Sequence, residues 1–264
     1  MKLEIDLKRL SIVVPYRDRA EQLQAFVQHM GAYFSRDLVA REIPVRILIV
    51  EQSEHHPFNS GMCKNAGFQL LADDTDYVAF HDVDYLPIWA DYTPPTGLAG
   101  IVWHGAESRP IVPGRPERAV HNLDNFYGGA VLAARQDFSA VNGYPNSFWG
   151  WASDDVDLLN RFRAQGLPAS RRRGTFSALD HVHGGYRVDG SKNEAATRNE
   201  TEFNKRWAGQ NWSAIDRKRS MMDDDGLRSL RFDVVRRELV TAVETAERAI
   251  AIEKVTVRLE RPAS

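Results

Sequence analysis

Residues 77–87, YVAFHDVDYLP, join a short apolar run to two aspartates one residue apart. The run 77–80 is typical of a buried strand, and HDVD follows it directly. Side chains alternate along an extended chain, so Asp82 and Asp84 are predicted to project from one side and Val83 from the other. Two such carboxylates can bind a divalent cation, or one can bind it while the other accepts hydrogen bonds from a ligand's hydroxyls. A solvated strand end is the plainer interpretation of so short a motif.

Two earlier apolar runs show what kind of sheet this strand joins. Residues 12–14 form a β-branched run stopped by Pro15, and residues 45–52, VRILIVEQ, form a second run. Helical patterns follow them at residues 20–38 and 60–73. Strand–helix–strand–helix–strand implies right-handed crossovers and a parallel sheet. The predicted fold is therefore α/β, one domain with a mostly parallel central sheet flanked by helices.

The remaining chain is divided by its local patterns. Residues 86–125 are rich in Pro and Gly and predict loops with short strands. A strand at 130–134 and a helix from Ser153, a suitable N-cap, to Ala164 follow. Helical spacing predicts a helix over 236–254, and a last strand comes after it. Within the single domain we expect a nucleotide-binding half (about 1–85), an acceptor half that completes a metal site (about 86–235), and a C-terminal helix and strand (236–264).

Composition narrows the classes of partner. The 264 residues are 43% hydrophobic and carry 34 Lys and Arg against 36 Asp and Glu, a formal net charge of -2. This balance argues against a nucleic acid or an anionic membrane as the main partner. The lone Cys63 excludes an internal disulfide framework. Because neither a signal peptide nor a transmembrane run is recognisable, we expect a soluble, cytoplasmic protein.

Three loops fall at the carboxyl ends of the predicted strands, where parallel sheets bind ligands. They are PYRDR (15–19), EQSEHHPFN (51–59) and HDVDYLP (81–87). Arg17 and Arg19 in the first loop could clamp a diphosphate or orient a carboxylate, although surface arginines are common.

Downstream, His181 and His183 repeat the spacing of the two aspartates and precede two glycines. If this segment is extended, both imidazoles project from one face and can bind a metal. One aspartate and two histidines leave half of an octahedral shell open for a diphosphate, and imidazole ligands favour Mn²⁺ over Mg²⁺.

The stretch 148–158, FWGWASDDVDL, sets two tryptophans before three aspartates. Aromatic faces pack against the C–H faces of sugars, and an adjacent carboxylate can take a proton from a hydroxyl. Alternatively, Trp149 and Trp151 belong to the core while Asp154, Asp155 and Asp157 favour a helix N-terminus by their charge. The residues alone leave these interpretations about even.

In this order the pieces resemble the β-1,4-galactosyltransferase family, glycosyltransferase family seven. The resemblance runs from about residue 12 to 232 and is carried by IVVPYRDRAEQL, FNSGMCKNAGF, FHDVDYLP, FYGGAVLAARQDFSAVNGYPNSFWGWASDDVDLLNRF and DDGLRSLRF. Because of its HxH pair, His181 and His183, the chain is most similar to the branch of the family that galactosylates xylose on proteoglycan linkers. The family implies a glycosyltransferase-A fold and Mn²⁺-dependent, inverting transfer of galactose from UDP-galactose to a sugar hydroxyl.

The resemblance also implies a role for individual residues. Asp155 matches the catalytic base, and Asp84, His181 and His183 match the metal ligands. The acceptor side comprises Trp149, Trp151, Asp154 and Asp155. The donor side comprises Pro15, Arg17, Arg19, Phe58, Asp82, Val83, Gly128, Gly129 and Trp151, the last on a small loop over the site. Residues 184–205 are the expected lid, which would order when metal and nucleotide bind.

The chain departs from the family pattern at several positions. The acidic run reads Asp154-Asp155-Val156 where a third acid is usual, and Ser60 and Glu51 replace a basic residue and an asparagine. These changes leave the reaction class intact but leave the acceptor open and, to a lesser degree, the donor, with UDP-N-acetylgalactosamine as the alternative donor. A catalytically idle glycan-binding protein and, less readily, a metal-dependent phosphohydrolase are the alternatives from other classes. For a bacterial-type homologue, a surface polysaccharide precursor is the conjectured acceptor.

Overall fold

The computed structural model describes residues 8–36, 40–53, 56–102, 127–151, 153–179, 185, 190–207, 222–244 and 249–261. The strands are β1 (Leu10–Tyr16), β2 (Val45–Gln52), β3 (Tyr77–His81), β4 (Tyr85–Ala90), β5 (Leu98–Gly100), β6 (Ala130–Ala134), β7 (Ala169–Arg171), β8 (Gly174–Ala178), β9 (Phe232–Glu244) and β10 (Ala249–Leu259). The α-helices are α1 (Ala20–Arg36), α2 (Ser60–Gln69), α3 (Arg135–Ala140), α4 (Asp154–Ala164) and α5 (Glu194–Trp207). None of the helices in this described part has the length and apolar character needed to cross a membrane.

Eight strands form one sheet in the order β7-β5-β6-β3-β1-β2-β10-β9, and β4 pairs with β8 in a small second sheet. Four of the seven neighbouring pairs in the large sheet are parallel, namely β5–β7, β3–β1, β1–β2 and β2–β10. The other three pairs are antiparallel. The predicted strands β1, β2 and β3 with helices α1 and α2 between them are confirmed, and so is the α/β class.

The middle strand β1 is buried along its whole length because helices cover both faces of the sheet. Ile12 packs in the same core layer as Phe26 and Met30 of α1, whereas Val13 packs in the opposite layer with Cys63 of α2. A strand apolar on both faces therefore reads as a continuous hydrophobic run. Pro15, which has no backbone N–H, lies where the pairing of β1 with β3 has already ended at residue 13.

The C-terminal helix predicted over 236–254 is wrong, because β9 and β10 form an antiparallel hairpin there. Strand β10 also pairs in parallel with β2 and so extends the sheet. Its first half buries Ile250 and Ile252 in the core layer of α1, while its second half buries Val255 and Val257 in the layer of α2. Because the strand changes its buried face, the alternation of period two is broken, and the remaining spacing imitates a helix.

Other boundaries differ less. Ser153 occupies the N-cap position of α4, as predicted, but it has a left-handed backbone (φ 75°) and makes no side-chain capping hydrogen bond. Helix α2 ends at Gln69 rather than at residue 73, and its N-cap is Asn59, whose side chain accepts a hydrogen bond from the amide of Met62. The Pro- and Gly-rich region contributes β4 and β5, and residues 103–126 lie outside the described part of the chain.

Helix α2 lies very close to the sheet at Gly67. A Cβ built on this residue would lie 2.3 Å from Cγ1 of Val13 on β1 and 2.8 Å from Cγ2 of Val50 on β2. No side chain fits at such distances without moving the helix or the strands.

We expect Gly67→Ala to destabilise the fold by about 1–3 kcal/mol because it overpacks this contact. The sign of the change in unfolding free energy is informative. In an uncrowded helix interior alanine is more favourable than glycine by up to about 1 kcal/mol, so a loss of stability would indicate overpacking. Chemical denaturation of both proteins measures the difference in the free energy of unfolding. A variant as stable as the parent would show that α2 can retreat from the sheet at no cost.

Candidate active site

The candidate site lies at the carboxyl ends of β1, β2 and β3, as the parallel topology predicts. The loop after β3 reaches the glycine segment before β6, since the amide of Asp82 donates to the carbonyl of Gly129 over 2.7 Å. The loop after β2 reaches the tryptophan segment, since the amide of Gly150 donates to the carbonyl of Phe58 over 2.7 Å. Segments far apart in the sequence are thus joined around one opening.

The two arginines after β1 diverge. Arg17 donates to the carbonyl of His56 over 2.6 Å, and its guanidinium carbon lies 5.4 Å from the centre of the Phe58 ring. Arg19 instead forms an ion pair with Asp84, with 3.5 Å between the charged atoms. Asp18 separates them with a positive φ of 53°, so the alternation of an extended chain does not apply. Arg17 therefore forms a pocket with the aromatic ring of Phe58, whereas Arg19 lies with the carboxylate of Asp84.

The aspartates after β3 lie in a turn rather than in an extended strand. Strand β3 ends at His81, and the amide of Tyr85 donates back to the carbonyl of Asp82 over 3.2 Å. The expectation that the two carboxylates share a side through alternation is therefore wrong in its geometry. Asp84 is buried at 4% exposure and Asp82 is half-buried, while Val83 points into the core. Any contribution of Val83 to a ligand site must come from its backbone.

Burial raises the pKa of the Asp82 carboxyl to about 6. The neighbouring carboxylates of Asp84 and Asp154 add to this effect, and the ammonium of Lys64 opposes it more strongly than either of them adds. Negative charge is thus concentrated at this end of the sheet, which favours cations as ligands.

Of the three predicted metal ligands, Asp84 lies in the described part of the chain. His181 and His183 lie outside the described residues, and within the described ranges there is no group of three or more His, Cys, Asp or Glu side chains able to hold a metal ion. The chain leading to the histidines nevertheless arrives at Asp84. Strand β8 pairs with β4, and the amide of Leu179 donates to the carbonyl of Asp84 over 2.7 Å. His181 follows Leu179 by two residues, which span at most about 7 Å of extended chain. Asp84, His181 and His183 are residue types that fit a hard divalent cation.

Gly129 allows close approach at the rim of the site. It has a positive φ of 75°, and a Cβ there would lie 3.0 Å from Val102 and 3.1 Å from the ring of Tyr85. Gly128 precedes it, and its carbonyl accepts a hydrogen bond from the amide of Ala130 over 2.9 Å. Packing of Val102 and Tyr85 together with the positive φ therefore requires glycine at position 129.

The two tryptophans have different environments. Trp149 is buried at 6% exposure, with the ring of His56 at 5.4 Å and the guanidinium of Arg261 at 4.9 Å from its ring. Trp151 is exposed at 38%. Of the two predicted acceptor platforms, only Trp151 offers a face in this conformation, and Trp149 supports the loop from below.

Helix α5 holds the tryptophan loop in place. The side-chain amide of Asn199 donates to the carbonyls of Trp149, over 3.3 Å, and Trp151, over 3.2 Å. Gly185 lies against the indole of Trp151, where a Cβ would come within 2.3 Å of the ring. Residues 184 and 186–189 of the expected lid lie outside the described chain, so its closure stays a prediction. The part from Glu194 onward is a helix.

Three carboxylates in the first turn of α4 have separate environments. Asp157 is fully buried and accepts hydrogen bonds from Arg161 (2.6 Å), Trp207 (2.7 Å) and Arg206 (3.2 Å). It therefore anchors the helix. Asp155 keeps 27% of its side chain exposed and Asp154 18%, so these two face the site.

Lys64 of α2, to which the sequence analysis assigned no role, lies beneath the two site carboxylates. Its Nζ is 3.1 Å from Oδ1 of Asp155 and 3.4 Å from Oδ2 of Asp154. Burial raises the pKa of Asp155 to about 7, and the ammonium of Lys64 lowers it against that effect, while Asp154 and Asp82 raise it further. The available signal was a lone cation in a short helix of otherwise uncharged residues.

A carboxyl with a pKa near 7 can accept a proton at neutral pH without being permanently neutral. Asp155 therefore has the placement and the acidity of a general base. Together with the Arg17–Phe58 pocket, the acidic turn after β3 and the indole of Trp151, it forms a site suited to a polar, phosphate-bearing ligand and a hydroxyl-bearing partner.

Comparison with known proteins agrees with this geometry. The model for the N-terminal region of glycosyl transferase group 7 matches residues 5–92, and the model described as the N-terminal domain of galactosyltransferase matches residues 118–183. The chain belongs to the β-1,4-galactosyltransferase family. This family assignment confirms the resemblance seen in the sequence motifs.

Among its relatives is β-1,4-galactosyltransferase 7 of Drosophila melanogaster, 34% identical over 184 residues, which are 67% of this chain and 53% of the relative. The Homo sapiens protein of the same name is 33% identical over 181 residues, 66% of this chain and 51% of the relative. The matched region thus spans about half the length of these relatives.

A solved structure of Drosophila β-1,4-galactosyltransferase 7, an aspartate-to-asparagine mutant in complex with manganese, UDP-Gal and xylobiose, has the same fold. It superposes with a TM-score of 0.70 at 24% identity and covers 97% of this chain and 96% of that chain. GalNAc-T7 with UDP, GalNAc and Mn²⁺ superposes with a TM-score of 0.53 at 11% identity, covering 85% of this chain and 56% of that one. The fold is the glycosyltransferase-A type.

The raised pKa of Asp155 predicts how the stability of the fold depends on pH. Its folded-state pKa of about 7 exceeds the ordinary value of 3.8, so the folded state binds the proton more tightly than the unfolded state. Stability from this group is present below about pH 4 and is lost as the pH rises to about 7. We therefore expect Asp155→Asn to be more stable than the parent by about 1–3 kcal/mol at pH 8, with the difference vanishing near pH 4.

Chemical denaturation at a series of pH values measures this difference. The exposed Asp73 provides a matched control, because Asp73→Asn should change the unfolding free energy little at any of these pH values. A difference for Asp155→Asn that is independent of pH, or that is largest in acid, would contradict the assignment.

Proposed function

We propose that this protein is an inverting, Mn²⁺-dependent glycosyltransferase that moves galactose from UDP-galactose to a sugar hydroxyl, forming a β-1,4 linkage to a xylose-like acceptor. The observation that carries the proposal is the position of Asp155. This carboxyl lies 3.1 Å from Lys64, four residues after the exposed Trp151, and the charge of Asp82 in the turn after β3 acts on it. The proposal is supported by the family assignment and by the ligands named for the structural relative, manganese, UDP-Gal and xylobiose.

The donor side follows from the first two loops. The ring of Phe58 offers an aromatic face for the uracil, and the guanidinium of Arg17 beside it offers charge for the diphosphate. Arg19 can reach phosphate from its position on Asp84. The backbone at Gly128 and Gly129, which carries no side chain, would lie against the donor sugar. Asp82, half-buried in the adjoining turn, can accept hydrogen bonds from hydroxyls of the ribose and the sugar.

Asp84, His181 and His183 would hold the metal. Mn²⁺ bound there would neutralise the charge that develops on the departing diphosphate. The chain's own contribution is to fix the position of Asp84, which it does by the turn after β3 and by the hydrogen bond from Leu179.

On the acceptor side, Trp151 stacks against the sugar and Asp155 removes the proton of the attacking hydroxyl. Asp154, the next carboxylate in the turn, can accept a hydrogen bond from another acceptor hydroxyl. Val156 stands where a third acid would follow, so fewer polar contacts hold the acceptor in this chain than the family pattern supplies.

The proposed site of action is the cytoplasm, a reducing compartment in which a single unpaired thiol is stable. Cys63 is a buried residue of α2, and burial raises the pKa of its thiol to about 12, so the thiol is unreactive.

Transfer can be tested with UDP-galactose, UDP-N-acetylgalactosamine and UDP-glucose, each offered with xylosides, glucosaminides and glucosides in the presence of Mn²⁺. We expect product with UDP-galactose and a xyloside, loss of product on chelation, and recovery with Mn²⁺ more than with Mg²⁺. Product mass and linkage by NMR are the readouts. Asp155→Asn should lower kcat by about 10²–10⁴-fold while binding UDP as the parent does, as expected for loss of a general base.

The outcomes separate the rival functions. Transfer from UDP-N-acetylgalactosamine alone would replace the donor and keep the reaction. Glycan binding without UDP release from any pair would indicate a binding protein, and release of inorganic phosphate would indicate a phosphohydrolase. An Asp155→Asn variant with parental kcat would place the base elsewhere.

The tryptophan pair supplies a matched comparison. Trp151→Ala should lower kcat/KM for the acceptor by about tenfold, because an exposed stacking face is worth roughly 1–1.5 kcal/mol. It should change the free energy of unfolding little. Trp149→Ala removes a buried ring and should instead destabilise the fold by about 3–5 kcal/mol. Steady-state kinetics and denaturation on both variants test this division, and the reverse pattern would contradict it.

A further inference from the structure

Lys64 is a buried cation in contact with the proposed base. Residues 61–68 of α2 are all buried, and the side chain of Lys64 is 4% exposed. Its ammonium lies 3.1 Å from Oδ1 of Asp155, 3.4 Å from Oδ2 of Asp154 and 4.6 Å from the centre of the Tyr144 ring. The lysine therefore fills its hydrogen-bonding capacity with the acidic turn of α4 and a cation–π contact.

Burial by itself would disfavour the charged form of such a lysine. The carboxylates outweigh this effect, with Asp155 the largest contributor, and hold the pKa of Lys64 well above its ordinary value. The titratable groups that act on Lys64 and Asp155 come from α2, α4, the turn after β3, the start of β4 and the loop before α4. They are Lys64, Asp82, Tyr85, Tyr144, Asp154 and Asp155. Within this set one fixed positive charge faces three carboxyls.

We propose that Lys64 is a positioning residue for the transfer reaction, whose ammonium holds Oδ1 of Asp155 and favours the ionised form of that carboxyl, so that Oδ2 is left to take the acceptor's proton. This inference rests on the proposed function. In the step, the acceptor O–H bond breaks and its proton joins Oδ2. The oxygen's electron pair forms the bond to the anomeric carbon, and the bond from that carbon to the diphosphate oxygen breaks, so that UDP leaves with the pair.

The second carboxylate, Asp154, explains how Lys64 can stay in place while the charge of Asp155 changes. When Asp155 becomes protonated, its attraction for the ammonium falls, and a buried cation without a counter-charge would be costly. Asp154 remains 3.4 Å away and keeps its ion pair with Lys64. The lysine therefore stays in place through the cycle, and the base returns to it when the proton leaves.

The pH dependence of kcat/KM for the acceptor tests this role, with donor and Mn²⁺ saturating. Lys64→Met removes the cation at similar length, so the acid limb should move to higher pH by about one unit or more, a loss of about tenfold at pH 7 that recovers in alkali. Asp154→Asn removes the competing carboxylate, so the acid limb should move to lower pH. Shifts of opposite sign are expected because the ammonium of Lys64 lowers the pKa of Asp155 and the neighbouring carboxylate of Asp154 raises it.

Two further lysine variants separate charge from packing. Lys64→Arg keeps the cation and should leave the acid limb within a few tenths of a unit of the parent. Lys254, on β10, also bridges two carboxylates, Glu51 and Glu238, and Lys254→Met should leave the acid limb in place. If Lys64→Met does not fold, Asp154→Asn and Lys64→Arg still carry the test. A Lys64→Met profile with the parental acid limb would overturn the proposal.

A readout without turnover keeps this inference distinct from the proposed function. The carboxyl titration of Asp155 can be followed by carbon NMR in the free protein, with Asp155→Asn used to assign the signal. It should move upward in Lys64→Met and downward in Asp154→Asn. An unmoved titration overturns the role of Lys64 even in an active enzyme. A shifted titration in a protein that transfers no sugar supports Lys64 as the counter-ion of Asp155 and overturns the transferase.

Discussion

The close seating of helix α2 on β1 and β2 is the constraint on which the site depends. Gly67 removes the side chain that would hold the helix away from Val13 and Val50. From that position α2 reaches forward with polar residues. Asn59 donates to the carbonyl of Asn146 over 2.8 Å, and Asn65 donates to the carbonyl of Tyr144 over 2.8 Å. One short helix thus locks the loop that leads into the tryptophans and the acidic turn, and Lys64 adds the electrostatic contact. A displacement of α2 by an ångström would alter the donor and acceptor sides together.

The charges at the site work against the stability of the fold. Placing the Asp155 carboxyl under the rim raises its pKa to about 7, which means that its ionised form is held at a cost. A neutral residue there would relieve the cost and remove the base, which is the usual relation between stability and activity at a catalytic position. Lys64 limits the cost without abolishing it. The contrast is Asp157, two residues along, which accepts three hydrogen bonds and anchors the helix.

How far the sequence could predict this structure depended on the kind of contact involved. Continuous apolar runs identify β1, β2 and β3 because those strands are buried on both faces, and the topology then places their loops at one edge. Strand β10 was not identified in this way, because the face that it buries changes halfway along the strand. Trp149 and Trp151 are the same residue type two positions apart, so the sequence does not distinguish them. The structure does, because His56 and Arg261 pack on Trp149. Lys64 was overlooked because its partners lie 90 residues away.

The acidic turn of α4 shows why spacing alone could not assign its carboxylates. Three aspartates in four residues all favour a helix N-terminus, yet a helix turns about 100° per residue, so each meets a different neighbour. Asp157 turns toward the cations of Arg161 and Arg206, whereas Asp154 and Asp155 turn toward Lys64 and the opening. The helix therefore sorts identical side chains by direction. A base at its second residue is rigidly mounted because the fourth residue is anchored, and two of the three anchoring contacts come from α5, the same helix that holds the tryptophan loop.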